Sequence, residues 1–121
     1  NLFDLNIVGE EANPAIEKDA YFNLGINCKS RGDLPKATEC FEKASNYTRE
    51  AGDRAAEGVA YLNLGINYKS RSGVPKAIEC FEKASKCARE ADDRTTEGKA
   101  HLNLGILFKS RSDLPKAIEC F

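Results

Sequence analysis

The tetrapeptide Asn-Leu-Gly-Ile occurs three times in this chain, at residues 23–26, 63–66 and 103–106, so that each copy stands forty residues from the next. Residues 20–59 and 60–99 are identical at roughly two-thirds of positions, and 100–121 continues in the same register, a self-similarity that marks a stacked repeat architecture. A single repeat of this size cannot bury its apolar face alone. Neighbouring repeats must do it, so the chain is constrained to a row of similar units held by contacts between neighbours.

Within each repeat the apolar residues follow helical spacing. Tyr61, Leu64, Gly65 and Tyr68 fall at i, i+3, i+4 and i+7, and Ala77, Phe81, Ala84 and Ala88 form a second stripe of similar period. Two amphipathic helices per repeat can bury these stripes against each other. The interruptions are equally regular. RGDLP, RSGVP and RSDLP separate the first helix from the second, with Asp33 or Asp113 placed to cap and Pro35, Pro75 and Pro115 in the first turn, where a missing N–H costs little. Asn13, Asp53 and Asp93 stand where the other helices begin. The pattern predicts an all-α chain, with first helices near 14–31, 54–71 and 94–111 and second helices near 34–50, 74–91 and, cut short, 114–121. Residues 1–12 are expected to be a divergent segment, either part of a preceding repeat or packed elsewhere or extended.

Gly25, Gly65 and Gly105 lie inside first helices, where glycine costs about 1 kcal/mol relative to alanine. The recurrence predicts a close helix crossing with no room for a Cβ, with Ala44 and Ala84 as the small residues opposite. The five cysteines point the same way, toward packing. Cys40, Cys80 and Cys120 recur at the repeat interval, so they stand at least one helix-packing distance apart, about 8–10 Å. That exceeds the Cα separation of a disulfide, about 4.4–6.8 Å, and is too far for a shared zinc. All five read as small hydrophobes of a reducing, cytoplasmic setting, with no metal or cofactor.

The motif Tyr61-x2-Leu64-Gly65-x2-Tyr68 followed by Ala77-x3-Phe81 resembles the tetratricopeptide repeat. Tyr21, Leu24, Gly25, Cys28, Ala37 and Phe41 match in the first copy, and His101, Leu104, Gly105, Phe108, Ala117 and Phe121 in the third. The resemblance implies a right-handed superhelical solenoid of antiparallel helix pairs. The forty-residue period departs from the usual 34 and is similar to that of spindle-orientation adaptors and related scaffolds, which implies a non-enzymatic scaffold that binds a protein or peptide partner.

In this family the first helices line a concave groove. The face of each first helix left over from the packing stripe carries Phe22, Asn23, Ile26 and Lys29; Leu62, Asn63, Ile66 and Lys69; and Leu102, Asn103, Ile106 and Lys109. Stacking turns each position into a row. An asparagine side chain offers a donor and an acceptor, so Asn23, Asn63 and Asn103 are placed to clamp successive peptide groups of a ligand, unless they bond between neighbouring repeats. The apolar rows beside them would favour an amphipathic or apolar peptide, unless they pack adjacent first helices.

Other chemistries find little support. The KSR triplets with Lys36, Lys76 and Lys116 form a basic ridge, but cations near a helix C-terminus complement its dipole, and a formal net charge of -1 does not favour nucleic acid. No apolar run reaches the roughly 20 residues of a membrane span. His101 is the sole histidine and substitutes for Tyr21 and Tyr61 in the packing stripe; no phosphate loop, HExxH or nucleophile elbow is present, so an enzyme is not expected. The chain ends at Phe121 within a helix pattern, from which we expect a longer array or ends that stack copy on copy, the structural alternative to a binding module.

Overall fold

The structure, a computed structural model, describes residues 13–110; the divergent segment 1–12 and the truncated sixth helix lie outside the described residues. Five α-helices follow one another: α1 Pro14–Ser30, α2 Leu34–Ala51, α3 Arg54–Ser70, α4 Val74–Glu90 and α5 Arg94–Ser110. Consecutive helices pack on each other, and α3 also meets α5, the arrangement of a helical solenoid.

Each boundary has a local cause. Asn13 Oδ1 accepts from the Ala15 N–H at 2.9 Å, and Asp33, Asp53 and Asp93 accept from the N–H groups of Lys36, Ala56 and Thr96 at 3.1–3.2 Å. These carboxylates satisfy donors that a helix start leaves unpaired. Gly73 replaces aspartate at the start of α4, which has no side-chain cap. All four connections close alike. The backbone N–H of Asp33, Asp53, Gly73 and Asp93 donates to the carbonyl five residues earlier, at 2.7–3.0 Å, across a residue with positive φ. Glycine supplies that residue at 32 and 52, whereas Ser72 and Asp92 adopt φ values of 63° and 57° at the cost borne by any side chain there.

The core runs along the axis of the stack. Ala77, Phe81, Ala84 and Ala88 on α4 are fully buried, as are Ala37, Phe41 and Ala44 on α2. One cluster joins Phe81, Ala84, Leu62, Ala100, Leu104, Leu107 and Phe108; another joins Phe41, Ala37, Cys28, Leu64 and Cys80. The close crossing at the helical glycines is present, but its partner differs from the expected alanines. A Cβ on Gly25 would lie 2.8 Å from the Phe41 ring, and one on Gly65 2.6 Å from the Phe81 ring. Ala84 shares a cluster with Phe81, and each ring fills the notch that its glycine leaves.

Charged groups close the seams that apolar residues leave. Glu57 is buried, yet its carboxylate meets Arg54 at 3.0 Å and Arg49 at 3.7 Å, and Arg54 reaches on to Glu90 at 2.9 Å. This arrangement pins the N-terminal turn of α3 to both neighbouring second helices, so a carboxylate that burial alone would exclude is held by partners. The sequence carries no signal of it, since an acidic residue in the first turn of a helix is common on dipole grounds alone.

Candidate functional site

The first helices α1, α3 and α5 carry the face proposed for ligand binding, and the twelve residues assigned to it fall into distinct environments. Between α1 and α3 lies a cleft of about 400 Å³ lined by Asp19, Phe22, Asn23 and Ile26 from α1 and Ala56, Val59 and Asn63 from α3. Ile26 is 49% exposed, and Phe22 is half-buried against the core around Phe41. The side chains of Asn23 and Asn63 have no hydrogen-bonding partner among the described residues. Amide donors and acceptors facing an apolar-walled cleft are the equipment for holding a peptide group.

The second junction is closed. Lys69 Nζ donates to Asn103 Oδ1 at 3.0 Å, and Asn103 Nδ2 donates to the Lys99 carbonyl at 2.8 Å, so this asparagine spends both functions inside the protein. Leu62 is 8% exposed because α5 covers it, and Ile66 packs against the same cluster. Leu62, Ile66 and Asn103 therefore make contacts between or within the first helices α3 and α5. On α5 the equivalents Leu102 and Ile106 stand 53% and 42% exposed. Lys29 is half-buried and Lys109 exposed.

A second cleft, of about 490 Å³, opens on the opposite face between α2 and α4, over Tyr61, Leu64 and Tyr68. Its polar groups are already matched. Arg49 donates to the Tyr61 hydroxyl at 3.0 Å, the Tyr68 hydroxyl to Glu42 at 3.4 Å, and Lys83 pairs with Glu79 at 3.2 Å. Lys76 and Lys83 lie over the Tyr68 and Tyr61 rings at 5.4 and 5.5 Å. A ligand there would have to break these contacts, whereas Asn23 and Asn63 have none to lose.

Titratable groups show no catalytic arrangement among the described residues. His101 is half-buried with Nε2 2.7 Å from Ser85 Oγ, and Arg89 approaches the same hydroxyl at 3.4 Å while pairing with Glu97 at 2.9 Å. This network joins α4 to α5 at the place where Arg49 and Tyr61 join α2 to α3, so the histidine occupies the structural position of a tyrosine. Cys28, Cys40, Cys80 and Cys87 are free and buried. Burial is the main cause that pushes the Cys80 thiol up to about 11, which keeps it protonated and inert at neutral pH. No group of three or more potential metal-ligating side chains is found among the described residues, and no described helix is long and apolar enough to cross a membrane.

Comparison with solved structures places the architecture. The chain superposes on the tetratricopeptide repeat domain of Arabidopsis FLU with a TM-score of 0.83 at 17% identity, covering 89% of this chain and 91% of that one. It superposes on BtubC (BKLC) from P. vanneervenii with a TM-score of 0.77 at 22% identity, covering 96% of this chain and 49% of that one, about half its length. No curated protein matches the sequence. The tetratricopeptide repeat family model matches residues 18–90. With that match over more than half of its residues, and a solenoid of paired helices notched at Gly25 and Gly65, the chain belongs to the tetratricopeptide repeat family.

Proposed function

We propose that this protein is a non-enzymatic scaffold that holds an extended peptide or helix of a partner protein in the cleft between α1 and α3. The observation that carries the reading is the pair Asn23 and Asn63, unpaired across a cleft walled by Phe22, Ile26, Ala56 and Val59. The amides engage the ligand's peptide groups, and Phe22 and Ile26 take its apolar side chains at about 25 cal/mol per Å² of apolar surface buried. Lys29 follows Ile26 by about one turn on α1. Asn103, Leu62 and Ile66 shape it indirectly by fixing α5 on α3, and Lys69 does so through its bond to Asn103. The free buried thiols suit a reducing compartment such as the cytoplasm.

Peptides selected from a displayed random library on the immobilised full chain supply the test, with affinities read by fluorescence polarisation. Asn63→Ala and Ile26→Asp should each weaken the selected peptides at least about tenfold, the scale of one lost buried contact, while helical circular dichroism is unchanged. Unaltered affinity in both variants would place binding elsewhere and overturn the reading.

End-to-end association of copies is a second reading, favoured by the exposure of Leu102 and Ile106, whose equivalents Leu62 and Ile66 are covered by the next first helix. Leu102→Lys/Ile106→Lys would then lower the sedimenting mass at high concentration; Lys109, also exposed, follows Ile106 by about one turn on α5. A wild-type chain that stays monomeric excludes it.

A further inference from the structure

The two seams between repeats among the described residues are built from different materials. At the seam between α4 and α5, Leu107 sits in the apolar cluster with Phe81 and Phe108, and Ile78 packs against it. The residues forty positions earlier are Asn67 and Thr38. Asn67 is completely buried, and neither its Oδ1 nor its Nδ2 meets a hydrogen-bonding partner among the described residues. Thr38 does not help. Its hydroxyl donates back to the Leu34 carbonyl at 2.9 Å and accepts from Arg71 Nη1 at 3.3 Å. Arg71 lies one turn beyond Asn67, which sets Asn67 on the same α2-facing side of α3.

A buried amide without partners gives up the hydrogen bonds that water supplies when the seam is open. The side of the first seam that carries Phe22 and Asn23 is looser as well. A cleft of about 400 Å³ stands between α1 and α3, where α3 and α5 are joined by Leu62 and by the Lys69–Asn103 bond. The opposite side is tied by Arg49 to Tyr61 and Glu57, and by Tyr68 to Glu42. A seam fastened along one edge, polar in its middle and open at the other edge has the form of a hinge.

We infer that the seam between α2 and α3 is the weak junction of the array, and that α1 and α2 open as one unit while α3, α4 and α5 remain folded. Opening hydrates Asn67, which repays part of the lost packing; the seam at Leu107 has no such compensation. Because Phe22, Asn23 and Ile26 travel with α1, the opening widens the cleft. The inference stands independently of what the cleft holds.

Native-state hydrogen exchange on the full chain, without ligand, tests it. In the wild type, the most protected amides of α1 and α2 should exchange at one shared rate, at least tenfold faster than those of α4. Thr38→Ile/Asn67→Leu transplants the other seam, and should slow α1 and α2 together by roughly 5- to 100-fold, the factor corresponding to an orphaned buried amide. The α4 amides should be little changed. Asn67→Val, closer to asparagine in size, guards against overpacking in the double variant and should act in the same direction. Unchanged exchange of α1 and α2 in both variants would mean that the end merely frays, and faster exchange or unfolding in both would mean that the Asn67 amide is stabilising. Either result overturns the inference.

Discussion

Replacing Gly65 with alanine separates two physical effects of opposite sign. Helix propensity alone favours the change by about 1 kcal/mol, because glycine loses more backbone freedom in a helix than alanine does. The tertiary structure opposes it. An alanine Cβ would stand 2.6, 2.7 and 2.9 Å from three atoms of the Phe81 ring, about 1 Å inside the optimum carbon–carbon separation of roughly 3.5–4.0 Å. The ring cannot swing away, since Phe81 is fully buried with Ala77 and Ala84 packed in the same cluster. Overpacking a tight core costs about 1–3 kcal/mol, and a rigid ring with no free space belongs at the upper end. Subtracting the propensity gain leaves a net loss of about 2 kcal/mol, or a fall in Tm of roughly 5–10 °C for a domain of this size. Gly98 is the internal control. It is exposed in α5 with nothing within 4 Å of where its Cβ would be, so Gly98→Ala should stabilise the protein by roughly 0.5–1 kcal/mol. Thermal and urea unfolding followed by circular dichroism would measure both. A Gly65→Ala variant as stable as Gly98→Ala would refute the notch-and-ring account.

Two further substitutions or conditions test the local arguments. Ser72→Gly removes the side chain from a residue held at a φ of 63°, and should raise stability by up to about 1 kcal/mol in urea titrations, less the added freedom of the unfolded chain. The Cys80 thiol, pushed from its ordinary value of 9.0 up to about 11 mainly by burial, holds its proton more tightly in the folded chain than in the unfolded one. Its contribution to stability is therefore complete below pH 9 and lost as pH rises from 9 toward 11, because the unfolded thiol ionises first. At pH 8, alkylation of Cys80 in the folded chain should be about a hundredfold slower than in urea, and equal rates would contradict the burial.

Much of the fold can be read along the chain because its causes are local and repeated. Asn13, Asp33, Asp53 and Asp93 announce helix starts by chemistry that needs only the next three residues. The helical period of Ala77, Phe81, Ala84 and Ala88 declares a buried face, and those four positions are buried. Gly65 signals a close approach, although only the packed structure shows that an aromatic ring, and not an alanine, makes it.

The amino-acid order by itself determines which segments are helical, which stripe each helix buries and the interval at which the unit returns, since turn chemistry and periodicity are properties of neighbours in sequence. Only the tertiary structure decides what each copy of a repeated residue does. Asn23 and Asn63 face a cleft unpaired, Asn103 is spent on Lys69 and Lys99, and Leu62 is covered where Leu102 is bare. Asn67 is sealed without a partner where Asn27, its copy, lies exposed. The physical reason is that a repeat's environment depends on which unit lies on either side of it, and a repeated sequence does not carry that difference.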